Sequence, residues 1–560
     1  MAGALPTSTP PRGVLCSRLT RGQEVFLLVL LAVAVRLIGF NAPYIDGHWI
    51  KQLQVAPIAK NFYLHGYNLL WPQADYSADR PNYIEIEFQL VTFLTAMLWH
   101  VFGVHEWVGR LVTVGFSLGG MLLLWRLLAR YLGEGAAEWG LLFYAFAPSS
   151  WYYSRALMSE PAMMFFSVGV VYCFSRYLGA SPPTPSPGRG GGGNQAAWFL
   201  LTAACGMLAF LVKLPTVLLL LPLAYLAWDK WGWGFLRRGA VWALVVVTLA
   251  PALAYYWHAH HAIGSHYFSV GVGPSGGMWF AVKDFTRPGN YSQIMMQMLR
   301  DHLTAVGMVL LPVGVFLRPT LGVAQASKPA SARSGAETQA WKPALPGSAP
   351  YLFHFWLGAV AVYFIVVAGG ILRQTYYEMP LLLPAAGLIG VAWERLVRTG
   401  VVTRWGNGVL VALFLVSCAW GVQPFFKPYT PILQASAALD QVDPAGRPVI
   451  IFPPGYGCLY YFHRPGWVGR EAMDRPQSLV APEDMPGPLY VTNRISRGAR
   501  WAVYFTSNRP SAREDLESYL RTTYRRIAVG AGDSYELFDL SAPASSPPPC
   551  PPVGSRNADE

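Results

Sequence analysis

Charge is what this sequence has least of. Asp, Glu, Lys and Arg make up 13% of its 560 residues, against 53% hydrophobic, where a soluble globular chain carries about a quarter charged. That shortage excludes an ordinary soluble enzyme. It points to a polytopic helical membrane protein, mainly α, because each bilayer crossing consumes about 20 apolar residues. Cysteine is also scarce: those at 16, 173, 205, 418, 458 and 550 show no paired spacing and no CxxC, so neither a disulfide framework nor a zinc site is suggested. No Walker loop, GxGxxG or GxSxG stands in a credible strand-to-helix context, which leaves nucleotide-driven transport and nucleotide-sugar binding on a Rossmann unit unsupported. No internal repeat marks the two halves of a transporter. The formal charge of +12 does not imply nucleic acid as a partner. Much of the Lys and Arg falls in short loops between apolar runs, where the positive-inside rule accounts for it.

What is present is a series of apolar runs near 24–40, 88–104, 109–131, 135–152, 161–179, 197–212, 215–229, 239–257, 303–317, 350–369, 377–396 and 406–422. Arg12, Arg18 and Arg21 precede the first, with no small-residue cleavage site, so it reads as an uncleaved span with residues 1–23 cytoplasmic. The run at 88–104 is short and carries Trp99 and His100. If it lies in the interface as an amphipathic helix, the basic loops holding Arg126 and Arg130, Arg176 and Arg189, Arg237 and Arg238, and Arg395, Arg398 and Arg404 all fall inside; if it spans, they move outside. Loop charge therefore selects about 11 spans within residues 24–425, with 41–110 as one long outer loop containing interfacial helices.

Two low-complexity inserts, SPPTPSPGRGGGGN and the region 319–350, read as flexible connectors. After the last span the composition changes. RPVIIFPP, GPLYVTNRI, WAVYFTS and SYELFDL have strand character, and SAREDLESYLRTTYRR has the apolar spacing and Ser cap of an amphipathic helix. A small extracytoplasmic α/β domain over 428–540 is expected, followed by a disordered Pro/Ser-rich tail over 541–560.

The same parity puts the Asp46 loop, the turn SRALMSEP with Arg155 and Glu160, Lys213, the His-rich loop HAHHAIGSH, and LRQTYYEMP with Arg373 on the outer face. Polar groups from distant parts of the chain converge on one side, as a site at a bilayer surface requires. Asp46, beside His48 and Trp49, suits a base or orienter for a hydroxyl, or a metal ligand, and equally an N-cap for the helix that follows. Glu160 reads either as a site acid or as a first-turn acid favoured by the helix dipole. Glu85 and Glu87 form a third acidic position, separated from the apolar residues of YIEIEF only if that stretch is extended. Lys213 and Arg373 sit where apolar helices meet the outside. Snorkelling explains such residues, and so does binding of a lipid phosphate. Tyr376 and Tyr377 add hydroxyls beside Arg373, and Lys60 adds a cation to the outer loop. The spacings of His258, His260, His261 and His266 match no zinc pattern.

These stretches resemble a family. YIDGHWIKQLQVAPIAKNFYLHGYNLLWPQADY, IEFQLVTFLTAMLWHVFGVHEWVGRL, YSRALMSEPAMMFF, AFLVKLPTVLLLLP and LRQTYYEMPLLLPAAGL are similar to the C-superfamily (GT-C) membrane glycosyltransferases. The likeness is to the bacterial relatives of protein O-mannosyltransferases and of the lipid A aminoarabinose transferase, in glycosyltransferase family 39. The resemblance covers most of 24–425. It implies transfer of a sugar from a polyprenyl-phosphate donor to a glycan, lipid or protein hydroxyl at the outer face of a bacterial inner membrane. It also implies roles for residues. Asp46 matches the family's first-loop catalytic acid and Glu160 the acid of the second outer loop. Lys213 matches the Lys of FLxKxP, Arg373 and Tyr377 match the positions before the paired prolines, and Glu87 matches the acid of an EFP pattern in which Gln89 here replaces the proline. This chain departs by having Gly47 after Asp46 where many members have a second acid, Lys51 and Gln52 where they have Arg-Gln, and Glu rather than Asp at 160. The departures bear on the acceptor and on any divalent cation, Mg or Mn, that Asp46 and Glu160 would hold.

The expected chemistry is a single inverting displacement. Asp46 prepares the acceptor hydroxyl, Glu160 and Glu87 position the reactants, Lys213 and Arg373 bind the departing phosphate, and His48, Lys60, Arg155, Tyr376 and Tyr377 line the substrate. A transporter or flippase of lipid-linked sugars, and a non-catalytic membrane scaffold, are the competing classes.

Overall fold

A computed structural model describes residues 19–179, 191–269, 287–317, 349–452, 456–469, 487–506 and 514–544. The tail from 545, the insert at 318–348 and most of the Gly/Pro insert at 180–190 lie outside them; Gly191–Asn194 already belong to a helix.

The helical body begins with α1 (Arg21–Arg36), capped by Thr20 in a capping box with Gln23. The stretch expected as the outer loop follows, with α2 (Trp49–His65), a two-residue strand β1 (Ile84–Glu85) and α3 (Leu90–Phe102). Then come α4 (Glu106–Leu132), α5 (Glu134–Phe146), α6 (Pro148–Tyr153), α7 (Glu160–Gly179), α8 (Gly191–Val212), α9 (Leu220–Trp231) and α10 (Gly239–His258). Strand β2 (Phe268–Ser269) pairs in parallel with β1. Helices α11 (Pro288–Gln297), α12 (Thr304–Phe316), α13 (Leu352–Val366), α14 (Ala368–Arg373), α15 (Leu382–Arg398) and α16 (Arg404–Val422) complete the body.

Among the described residues, seven helical stretches are long and apolar enough to cross a bilayer: 106–132, 160–179, 195–212, 239–264, 288–316, 375–398 and 404–426. The expected runs at 24–40, 135–152, 215–229 and 350–369 are helical too, but their helices are shorter or interrupted. Helix α3 has 13 residues, about 20 Å at 1.5 Å per residue, short of the bilayer core, as are α1, α9 and α13. Outward residues such as Val246, Leu253, Val416 and Trp420 are exposed, the surface a lipid-facing helix presents.

Small residues set a close helix contact. Ala136 and Gly140 on α5 face Ala386 and Gly390 on α15; a Cβ on Gly140 would meet the Ala386 carbonyl at 2.5 Å, and one on Gly390 the Ala136 carbonyl at 2.2 Å. Two small-xxx-small faces thus let the backbones touch, as membrane helices do when lipid leaves no hydrophobic force between them. Trp139 stacks on Trp393 beside this seam, ring centroids 4.8 Å apart.

The C-terminal region adds α17 (Pro431–Val442), β3 (Val449–Phe452), α18 (Leu459–Phe462), β4 (Gly466–Val468), α19 (Pro488–Ser496), β5 (Trp501–Phe505), α20 (Glu514–Thr523), β6 (Tyr524–Val529) and β7 (Tyr535–Pro543). The five strands form one sheet in the order β4-β3-β5-β7-β6, parallel among β4, β3 and β5, with β7 antiparallel to both of its neighbours. The stretch GPLYVTNRI, expected as a strand, is α19. Pro488 opens it at a position where a missing N–H costs nothing, and its buried residues Tyr490, Val491 and Arg494 follow helical rather than alternating spacing. SAREDLESYLRTTYRR divides between α20 and β6.

Strand alternation sends the two sheet faces to different cores. Val449, Ile451, Trp501, Val503, Phe505 and Leu537 pack in the large core shared with the helical body. Ile450, Phe452, Ala502, Tyr504 and Phe538 pack with α19 and α20 in a separate cluster. The sheet is therefore built onto the outer loop rather than tethered beside it.

Candidate active site at the outer loop

Two buried charged clusters form where the outer loop meets the helix ends. The first is centred on Asp46, 3% exposed. Its Oδ1 accepts from Gln52 Nε2 at 2.7 Å and from the Tyr152 hydroxyl at 3.0 Å. Its Oδ2 pairs with Arg155 Nη2 and lies 3.7 Å from Arg110 Nη2. Arg155 also donates to the Gly39 carbonyl at 2.8 Å and lies over the Phe426 ring at 4.4 Å, while Arg110 donates to the Ala42 carbonyl at 2.9 Å. The backbone of Asp46 is held as firmly. It bridges to Pro428, and Tyr429 N–H donates to the Ile45 carbonyl at 2.7 Å. Gly47 takes φ +41°, and a Cβ there would meet the Tyr152 hydroxyl at 2.5 Å and the Phe425 carbonyl at 2.7 Å. This explains why an acidic pair is replaced by Asp-Gly: no side chain fits after Asp46.

His48 sits beside this cluster. Its Nε2 is 3.1 Å from Thr375 Oγ1, which also bonds the Tyr153 hydroxyl at 2.7 Å, and its ring lies among Tyr153, Tyr376 and Phe425. Burial pushes the imidazole down to about 4, against the pull of Glu160 and Asp301, so His48 is neutral at physiological pH.

The second cluster joins four side chains. Lys51 Nζ is 3.1 Å from both Glu87 oxygens, Lys213 Nζ is 2.7 Å from Glu87 Oε1, and Lys213 Nζ is 2.9 Å from Glu160 Oε1. Neither Glu160 oxygen has hydrogen-bond geometry to any described group, so this acid is ion-paired yet open to a donor. Burial alone would raise Glu87, but Lys213 and Lys51 together hold it well below the usual carboxylate range. Burial likewise disfavours charge on Lys213, and Glu160 and Glu87 more than reverse that. Local structure aims these groups. The extended stretch at β1 lets Glu85 reach His260 Nδ1 at 3.2 Å while Glu87 reaches the lysines. Gln89, the residue in place of proline, donates to the Glu87 carbonyl at 2.6 Å. Lys213 follows the last residue of α8, where a cation is favoured, and Pro215 prevents the helix from continuing.

Beside Lys213 opens a groove of about 600 Å³. Met163, Met164, Leu218, Leu219, Trp356 and Val360 line its apolar length, and Glu160, Lys213, Tyr376 and Tyr377 its polar end. The Lys213 ammonium stands 5.5 and 5.4 Å from the two tyrosine rings. Arg373, at the end of α14, is exposed and makes no ion pair among the described residues.

The fold thus brings Asp46 together with His48 and Arg155, and Glu87 together with Glu160, Lys213, Tyr376 and Tyr377. It does not bring Lys60 to either group; Lys60 lies 6.0 Å from the Tyr460 ring of the C-terminal region. Arg110, Tyr152, Thr375 and Lys51 were not legible as site residues, although the aromatic run before SRALMSEP and the charges inside otherwise apolar segments were there to be read. Another buried pair, His302 Nε2 and Glu378 Oε2 at 2.8 Å, ties the turn after α11 to the Tyr376 segment. Asp46 and Glu160, the acids expected to hold a divalent cation if one binds, lie in separate clusters. Each is matched by basic groups in a different cluster, and no three His, Cys, Asp or Glu side chains converge among the described residues.

Comparison with known proteins agrees with this architecture. Residues 89–257, under a third of the chain, match the family profile of dolichyl-phosphate-mannose-protein mannosyltransferases. Among curated proteins, no sequence matches significantly. Solved structures match nearly the whole fold. ArnT from Cupriavidus metallidurans bound to undecaprenyl phosphate superposes with a TM-score of 0.57 at 15% identity, covering 94% of this chain and 99% of that one. The oligosaccharyltransferase AglB from Archaeoglobus fulgidus, in complex with an inhibitory peptide and a dolichol-phosphate, superposes at 0.54 and 9% identity, covering 92% and 74%. The same archaeal enzyme solved with Zn and sulfate gives 0.53 at 10% identity. The chain has the GT-C fold of polytopic membrane glycosyltransferases. Within that class its architecture is similar to ArnT over nearly the whole of both chains.

Proposed function

We propose that this protein transfers a sugar from a polyprenyl-phosphate-linked donor to an acceptor hydroxyl at the outer face of the membrane, by one displacement with inversion. The observation that carries the reading is the groove: an apolar channel that ends on Lys213 and Glu160 is shaped for a lipid chain whose phosphate must meet a cation. The undecaprenyl phosphate bound to ArnT and the dolichol-phosphate in the AglB complex support the same ligand class.

In this reaction the acceptor oxygen bonds the anomeric carbon as the bond from that carbon to the phosphate oxygen breaks. The bonding pair leaves on the phosphate, and the hydroxyl proton passes to a carboxylate. Glu160, whose oxygens are open, receives that proton. Asp46, already held by two guanidinium groups, acts as the orienter, its charge favouring positive character at the anomeric carbon. Lys213 and Arg373 stabilise the departing phosphate, and the Tyr376 and Tyr377 hydroxyls bind beside it. Glu87 pairs with Lys213 in the absence of donor. The N-terminus is cytoplasmic and the C-terminal sheet lies on the outer side. No step is routed through a metal.

The test is sugar transfer by purified protein from a polyprenyl-phosphate sugar, comparing native with Asp46→Asn, Glu160→Gln and Arg373→Ala. Loss of about 100-fold or more in the first two is expected. Full transfer by folded Asp46→Asn and Glu160→Gln would overturn the assignment of roles, and no turnover with any lipid-linked sugar would favour a transporter.

A further inference from the structure

The second cluster poses a problem for any phosphate that reaches it. Lys51 and Lys213 carry two positive charges, and Glu87 and Glu160 cancel both. A phosphate arriving along the groove at Lys213 meets two carboxylates already in contact with it, and like charges at such distances repel strongly in a dry site. One carboxylate has to yield.

The geometry says which. Glu160 opens α7, and its ion pairing among the described residues is with Lys213. Glu87 lies on the short segment between β1 and α3, uses both oxygens on Lys51 and one of them also on Lys213. Withdrawing Glu87 frees Lys51 completely and half of Lys213, whereas withdrawing Glu160 frees neither lysine of its contact with Glu87. We propose that Glu87 is a resident counter-anion: it occupies the seat of the lipid phosphate between Lys51 and Lys213, gives way when the donor binds, and by returning expels the polyprenyl phosphate left after transfer.

This inference rests on the lipid-phosphate reading above. Charge counting supports the direction of each step. With Glu87 withdrawn, Lys51, Lys213 and Glu160 sum to one positive charge, which matches the single negative charge of a phosphodiester donor. Once the sugar has left and Glu160 has passed the acceptor's proton on to water, the site is back to one positive charge while the phosphate monoester carries about −1.5 to −2 at neutral pH. The occupied seat is then overcharged, and exchange for the single charge of Glu87 restores neutrality. Lysine suits such an exchange, since its ammonium is a point charge on a flexible stem rather than a fixed fork. It also places Lys51 at the phosphate.

The prediction has a sign that a purely positioning Glu87 would not share. Removing the competitor while keeping its shape, in Glu87→Gln, tightens binding of undecaprenyl phosphate by on the order of tenfold and makes that lipid a stronger product inhibitor. Binding is measured on the purified full-length protein, with the melting temperature as the check on folding. Unchanged or weaker binding by folded Glu87→Gln overturns the proposal and leaves the lipid-phosphate reading intact. If neither native protein nor variant binds undecaprenyl phosphate, both fall. Should Glu87→Gln not fold, Glu87→Asp keeps the charge one methylene further back. A smaller gain in affinity supports the proposal, and an equal or lower affinity overturns it.

Discussion

The two charged clusters differ in the cation they employ. Asp46 is gripped by guanidinium groups that are themselves tied to backbone carbonyls and aromatic faces. Glu87 and Glu160 are met by ammonium groups that donate to no backbone carbonyl among the contacts above, Lys213 having only the Tyr376 and Tyr377 rings beside it. A planar fork with several donors locks a carboxylate in one orientation, whereas an ammonium on four methylenes can follow a ligand. The arginine cluster is therefore the fixed frame and the lysine cluster, which opens on the groove, the exchangeable part.

The largest effect that would sharpen this contrast is loss of the central lysine. Lys213→Ala is expected to reduce transfer by about 10²–10³-fold, the scale seen when one charge-stabilising donor is removed; a residual rate within tenfold of native would place the phosphate elsewhere. Removing a fixed partner should instead show in stability. Arg155→Ala leaves Asp46 buried beside a more distant guanidinium and costs about 3–5 kcal/mol, read as a fall in melting temperature; a variant as stable as native would mean the arginine cluster is not a frame. Gly47→Ala tests the same frame through the backbone. The added methyl meets Tyr152 and Phe425 in a left-handed conformation, for a cost of about 1–3 kcal/mol, with loss of transfer because Asp46 moves.

Smaller effects follow from pH and from the exposed arginine. Because burial holds His48 near 4 rather than 6.5, the unfolded chain binds the proton more readily. The stability this contributes is complete above about pH 6.5 and is lost as pH falls toward 4. Glu87, depressed by its lysines, adds to the fall below its ordinary value of 4.5. The melting temperature should be flat from pH 8 to 7 and drop by on the order of a few degrees by pH 5; His48→Gln should flatten that drop. Arg373→Ala, by contrast, should leave the melting temperature unchanged while weakening the donor by about tenfold.

Much of this was legible from the order of residues. The shortage of charge and the recurring apolar runs announced a helical membrane protein, but not which runs would form long unbroken helices: those at 24–40, 88–104, 135–152, 215–229 and 350–369 fold as shorter or interrupted ones. The groups at Asp46, Glu160 and Lys213 were found because a carboxylate or ammonium beside an apolar run is costly to keep. The strand expected at GPLYVTNRI shows the limit. Short mixed segments fit both periods, and the choice fell to Pro488 and to the face that α19 could bury. Likewise nothing in one dimension told that Lys60 would turn toward Tyr460 while Lys51, nine residues earlier, would turn toward Glu87.

Sequence alone determined what must be near the bilayer and which chemical types were held there, since both follow from the free energy of placing charge beside hydrocarbon. Tertiary structure decided the partnerships: that Asp46 belongs to arginines and Glu87 to lysines, and that one face of the C-terminal sheet shares the core of the helical body. Pairing between residues more than a hundred positions apart, such as Asp46 with Arg155 and Glu87 with Lys213, depends on how small-residue helix faces and a strained glycine bring loops together. Those are properties of packing, which local sequence does not carry.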